Sequence, residues 1–161
     1  MRESMTFQAL TLWQPWASLL IGGCKRFETR GWAPKATRFW CAIHAAAKAP
    51  ATSIPESFIP AGFVDAAAEC LHGMGYECMA ELPLGSMIGL VLWETIRPTT
   101  ELLKHANEKD ILFGDWSAGR YAWKVNKIFR FAEPVPATGR QRLWRWEIPA
   151  ALHAEWMELA E

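Results

Sequence analysis

Apolar residues fall in short blocks along this chain, and the spacing within each block predicts an element. Phe7–Trp13 is a compact apolar run with β-branched members and reads as a buried strand. Gln14-Pro15-Trp16 then opens a helix, with Pro15 at its first position and Trp16, Leu19 and Leu20 as its apolar stripe. Gly22-Gly23 ends that helix, because glycine accepts the left-handed cap conformation. Lys25–Arg30 follows as an extended segment or turn. In Arg38–His44, Phe39, Cys41 and Ile43 share one face, as in a strand. Ala45–Ala51 suggests a short helical turn, and Ser53–Pro60 a loop with two prolines. Ala61–Gly73 has helical spacing at Phe63, Val64, Ala67 and Leu71, and Tyr76–Leu82 suggests a further short helix.

In the second half, Ser86–Ile96 is strongly apolar and reads as a strand that Pro98 ends. Thr100–Ala106 predicts a short helix capped by Thr99 or Thr100. Phe113–Gly119 is a turn, Arg120–Phe131 a long strand and Pro134–Gly139 a loop. Leu143–Ile148 is a last strand, and Pro149–Ala160 a helix with Leu152, Trp156 and Leu159 on one stripe. Five or six strands with short helices between them do not fit a doubly wound parallel sheet. They predict an α+β fold, a small mixed or antiparallel β-barrel surrounded by helices. No internal repeat is present.

The 161 residues fit one domain, 1–161, large enough to bury a core. Half of the residues are hydrophobic, which excludes a disordered composition. Lysine plus arginine equals aspartate plus glutamate at 17 each, and a formal charge of zero argues at first against nucleic acid. The charge is segregated, however. Residues 20–50 carry six basic residues and Glu28, net +5, and residues 120–145 carry seven and Glu133, net +6. Residues 51–119 carry net −7 and residues 146–161 net −4. If the two basic segments meet, they line one polarised cleft with the acid elsewhere.

The four cysteines, Cys24, Cys41, Cys70 and Cys78, form no CxxC and match no common zinc spacing. They read as free thiols of a reducing, cytoplasmic compartment. Met1–Phe7 lacks a long apolar stretch, and no run is long enough to span a bilayer, so no membrane partner is expected. The scattered histidines suggest no metal site, and nothing calls for a cofactor.

The richest chemistry is Gly23-Cys24-Lys25-Arg26-Phe27-Glu28-Thr29-Arg30, a G-x-K-x-x-E-x-R pattern. If the segment is extended, Glu28 and Arg30 share a face and Lys25 lies on the other; a turn would gather all three. They form either an ion-pair network that fixes a loop or a site with one positive charge left for an anion. His44 and Lys48 stand at a strand end among small residues that leave room for a ligand. Tyr121 and Trp123 alternate in a strand flanked by Arg120 and Lys124, either as core or as a stacking and phosphate-contacting surface. Trp32 is a candidate aromatic lid, whereas Trp13 is expected to close the barrel and Trp144 and Trp146 to be core.

Leu12-Trp13-Gln14-Pro15-Trp16-Ala17, followed by the G-x-K-x-x-E-x-R pattern, resembles the ASCH domain, a relative of the PUA-like RNA-binding fold. Ile43–Lys48, Gly119–Trp123 and Gly139–Trp144 resemble its later segments, in a phage- or bacteria-type variant. About 50–82 stands apart as a helical and loop insertion. The resemblance implies a β-barrel with a cleft lined by the motif, and RNA, single-stranded nucleic acid or a modified nucleoside as partner. Nucleic-acid contacts would fall to Lys25, Arg30, Trp32, His44, Lys48, Arg120 and Tyr121. It also implies an alternative, a metal-independent hydrolase acting as ribonuclease or N4-acylcytidine-type amidohydrolase, with Lys25 and Glu28 as catalytic pair. The amidohydrolases place a threonine nucleophile three residues after the motif lysine; here that position is Glu28, whose carboxylate suits general-base work. A third option, a protein-interaction domain using Trp156, rests on the terminal helix alone.

Overall fold

The computed structural model describes residues 4–48 and 59–160. The Ala49–Ala51 end of the suggested helical turn and most of the Ser53–Pro60 loop lie outside them. Six strands form one mixed sheet: β1 (Thr6–Leu12), β2 (Phe27–Arg30), β3 (Phe39–Ala45), β4 (Ser86–Pro98), β5 (Tyr121–Pro136) and β6 (Leu143–Glu147). Five α-helices accompany it: α1 (Trp16–Ile21), α2 (Phe63–Gly73), α3 (Thr99–Leu102), α4 (Glu108–Leu112) and α5 (Ala150–Ala160). The strand order is β2-β5-β4-β3-β1-β6, with β1 and β3 parallel and every other pair antiparallel.

The sheet is not closed into a barrel by its ladders, since β2 and β6 are its two edges. It nevertheless curls. Register shifts interrupt the β4–β5 ladder at three places, and such bulges bend and twist a strand. The curl brings β2 toward β1, with three strands between them in the sheet, so that the Arg30 guanidinium donates to the Thr11 carbonyl at 3.0 Å. One side of the sheet packs Leu10, Leu12, Cys41, Ile43, Val91, Trp93 and Trp123 against Ala17, Leu20 and Ile21 of α1. The other packs Phe7, Ala9, Ala42, Met87, Leu90, Phe129 and Phe131 under Leu152 and Trp156 of α5.

Several local expectations change. Pro15 is the cap before α1 and has no side chain to give; the buried Gln14 side chain does the capping, its Oε1 accepting from Ser18 N–H at 3.0 Å. Val64 points to solvent, and the buried stripe of α2 is Phe63, Ala67, Cys70 and Leu71. Thr99 does not cap α3; its hydroxyl donates to the Ser117 carbonyl at 2.9 Å. Pro134–Pro136, read as loop, continues β5. The expectation of four free thiols is corrected at two of them: Cys24 and Cys70 form a disulfide, while Cys41 and Cys78 are free. The two are 46 residues apart, and only the packing of α2 onto the end of α1 brings them together, which no spacing rule detects. No helix among the described residues is long and apolar enough to cross a membrane.

Candidate functional site

The loop after α1 delivers the motif. Gly23 adopts φ 82°, the left-handed cap conformation, and its N–H donates to Leu20 O while Cys24 N–H donates to Leu19 O. This six-to-one closure absorbs the free carbonyls of the helix end and turns the chain sharply. Lys25 therefore enters the interior before β2 begins, and it is 1% exposed. From β2, Glu28 and Arg30 project two residues apart on one face. Turn and strand together thus gather the three charged residues around one cavity of about 440 Å³. Its walls include Trp13, Trp16, Thr29, Phe63, Gly114, Asp115 and Arg120.

The opposite wall is built by an element the sequence reading missed. Asn107 and Asp110 form a capping box for α4, an N-x-x-D signal that was legible in the sequence. The buried Asp110 carboxylate also receives the Arg26 guanidinium and, at 3.4 Å, the Arg26 N–H. One side chain thereby ties α4 to the residue after Lys25. The chain leaving α4 presents the Phe113 carbonyl, which accepts from Lys25 Nζ at 3.0 Å. Beyond it, Asp115 N–H donates to Thr29 Oγ1 at 3.0 Å, and Arg120 donates to Thr29 O at 3.1 Å. The 113–120 turn is thus fastened along β2.

Lys25 Nζ stands 3.5 Å from Glu28 Oε1, with both side chains almost wholly buried. Burial pushes the lysine pKa below its ordinary value, and the Glu28 carboxylate opposes that shift. Glu28 Oε1 accepts from Thr29 N–H at 2.8 Å, but its Oε2 is buried with no protein partner. Arg30 Nε is likewise buried and unpartnered. Both residues line the cavity, and an unpartnered buried acceptor and donor are costly to folding unless something else satisfies them.

The two basic segments do meet: Lys25 and Arg30 from the first and Arg120 from the second line the same cavity. The acid is not kept elsewhere. Asp115, 3.5 Å from Arg120, and Glu28 also line it, leaving one net positive charge among these five residues. The 51–119 segment, expected on another face, supplies a whole wall through Pro60, Phe63 and Leu112–Asp115.

Of the other residues singled out in the sequence, Trp13 lines the cavity, and His44, Lys48, Trp32, Tyr121 and Trp123 do not. His44 is buried, with Nδ1 against Thr11 Oγ1 at 3.2 Å and Nε2 against Ala137 O at 2.7 Å; burial lowers its pKa. It joins β1, β3 and the chain before β6, and only Thr11 links it to the cavity wall. Lys48 is exposed, with Nζ 5.2 Å from the Trp13 ring centroid. Trp13, expected to close the barrel, is 45% exposed and lines the cavity. Tyr121 packs against the core beside β2, and Trp123 is fully buried within it. Lys124 pairs with Glu94 at 3.2 Å. Trp32 stands edge-on to Trp123 with centroids 5.1 Å apart and does not line the cavity. Among the described residues, no three His, Cys, Asp or Glu side chains gather closely enough to hold a metal ion.

The chain matches no protein-family model and no curated protein. Among solved structures it is similar to ASCH from Zymomonas mobilis, with 13% sequence identity, 94% of each chain covered and a TM-score of 0.50. A point mutant of that protein gives the same values. The fold is ASCH-like.

Proposed function

We propose that this ASCH-like chain binds nucleic acid, RNA foremost, or a modified nucleoside, by admitting one base-sized group into the Lys25–Glu28–Arg30 cavity. The observation that carries this reading is the pair of buried, unpartnered polar atoms, Glu28 Oε2 and Arg30 Nε. A nucleobase edge carries an amino donor beside a ring or carbonyl acceptor, the complement of that pair. Trp13 and Trp16 offer aromatic surface for the base, and Arg120 offers a cation toward a ribose or phosphate. A cavity of about 440 Å³ lies within the size range of small-ligand sites and cannot take a duplex.

Titration of the four ribonucleosides and their 5′-monophosphates, followed by tryptophan fluorescence, tests it. Saturable quenching is expected, stronger for monophosphates at low salt, and Arg30→Gln should weaken affinity at least ten-fold, about 1.4 kcal/mol. Absence of saturable change with every compound and with short RNA would overturn the reading.

A second reading is favoured by a specific feature, the desolvated lysine beside a carboxylate. A lysine with lowered pKa can hold a neutral amine as base, and Glu28 can shuttle the proton. That is the equipment of a metal-independent hydrolase of RNA or of N4-acylated cytidine. Turnover of both substrates should vanish in Lys25→Met; equal residual rates in wild type and variant would dismiss catalysis at this pair.

A further inference from the structure

Arg142 is the one described non-glycine residue with positive φ, at 56°. An L-residue with a long side chain gains nothing locally from that region, where glycine or asparagine would sit more easily. Such outliers persist where the side chain's placement matters. Here the conformation carries the Arg142 guanidinium to 5.1 Å from the centroid of Trp32, which is itself braced edge-on by Trp123. Arg142 is exposed, and none of the ion pairs among the described residues uses it.

Its place in the fold adjoins the cavity. Leu143 pairs with Leu10 at the last rung of the β1–β6 ladder, so Arg142 lies one step beyond, on the side of Thr11. Thr11 lines the cavity, and its carbonyl holds Arg30. Trp32 is two residues past Arg30 on the same chain. Gly139 is packed so closely that a Cβ there would meet the His44 ring at 2.6 Å and Thr11 Oγ1 at 2.8 Å, which holds this basic loop against the wall.

We infer that Arg142, laid on Trp32, is a second subsite that takes the nucleotide flanking the one in the cavity, so the site serves a single-stranded polynucleotide. The inference rests on the proposed base-binding role of the cavity. The guanidinium lies against the Trp32 ring on a side chain that is otherwise exposed. A base can stack on the guanidinium plane, and a phosphate can take its N–H groups. Because the arginine is already held on the indole, less side-chain freedom is lost when a strand arrives. Trp32 acts as the platform beneath the arginine rather than as the lid expected of it.

The test compares wild type, Arg142→Ala and Arg142→Lys, with a single-stranded RNA of about eight nucleotides, its DNA counterpart and the free ribonucleosides as probes. Arg142→Ala should weaken octamer binding about ten-fold and lower the slope of log K against log salt by about 0.7, one phosphate contact on a single strand. Its nucleoside affinities should stay within about two-fold of wild type. Arg142→Lys should restore the salt slope but not the full affinity, because it keeps the charge and loses the stacking plane. The RNA and DNA arms show which polymer the subsite serves, and the loss with either supports it. An octamer affinity and slope unchanged in Arg142→Ala would overturn the inference while leaving the cavity reading intact. Parallel loss of nucleoside binding would also overturn it. Failure of wild type to bind nucleosides and octamers alike would instead remove the reading beneath it.

Discussion

Under α5, the sheet buries Phe7, Ala9, Ala42, Met87, Leu90, Phe129, Phe131 and Ile148, a cluster without a charged member. Around the cavity, the same chain buries Lys25, Glu28, Thr29 and Asp110. The first region follows the simple rule that apolar area removed from water stabilises a fold. The second leaves a carboxylate oxygen and a guanidinium nitrogen without partners, each costing upwards of roughly 1–3 kcal/mol because the groups are charged, whereas the unpartnered buried atom on the α5 side is the neutral Trp156 Nε1. The Arg26–Asp110 pair shows that the discrepancy is not a general looseness of this end. Asp110 is satisfied by the α4 cap and by Arg26, next to a Lys25–Glu28 pair that is not. On the proposed function, one region holds the molecule together and the other is held open for a ligand.

If so, the two regions should fail in different ways. The largest effect is expected behind the sheet. Phe129→Ala should cost about 3–5 kcal/mol in urea unfolding, while the protein that remains folded binds ligand as before. Loss of affinity in the folded fraction would erase the distinction.

Next in size is the staple between the cavity wall and the motif loop. Cys24→Ser/Cys70→Ser, opening a link across 46 residues, should cost about 2–4 kcal/mol. Because Phe63 on α2 walls the cavity, ligand affinity should fall as well, unlike in Phe129→Ala. The check is thermal unfolding and ligand titration on the same samples.

A smaller effect is expected with pH. Burial holds the folded His44 pKa below its ordinary 6.5, so between those two values the unfolded chain takes up a proton that the folded chain does not. Stability should fall as pH drops through that window and level off below the folded value. Lys25 acts at the other end: its folded pKa is below 10.5, so stability should rise with pH between its folded value and 10.5. His44→Asn should flatten the acid limb and Lys25→Met the alkaline one, each leaving the other unchanged. Unfolding free energies across the pH range decide this.

The smallest stability change belongs to the pair itself. Lys25→Met/Glu28→Gln replaces a buried ion pair by neutral groups of similar shape and should move stability by no more than about 1 kcal/mol in either direction. A loss as large as that of Phe129→Ala would make the pair a structural bridge.

The sequence carried the strands well, because β1, β3, β4 and β6 are bounded by prolines, glycines or changes of hydrophobic period. It carried the motif for the same reason: Gly23 ends α1 wherever α1 packs, and period two in β2 puts Glu28 beside Arg30. What it did not carry depends on distant contacts. The Cys24–Cys70 link and the wall from Pro60 to Phe63 follow from α2 lying on α1, which no local pattern encodes. Trp13 and Trp123 look alike in sequence, yet one, just past the end of β1, lines the cavity and the other, within β5, is sealed in the core. The Asn107–Asp110 box is legible as an N-x-x-D cap; the buried second role of Asp110 toward Arg26 depends on a distant contact and is not.

On the proposed function, Glu28 is buried for a ligand rather than for the fold. The direct measurement is wild type against Lys25→Met/Glu28→Gln, which leaves no buried charge unpaired, with ribonucleoside affinity by calorimetry and unfolding free energy on the same preparations. An affinity loss of at least ten-fold with stability within about 1 kcal/mol of wild type is the predicted result. Unchanged affinity, or a collapse of stability that accounts for the lost binding, would contradict it.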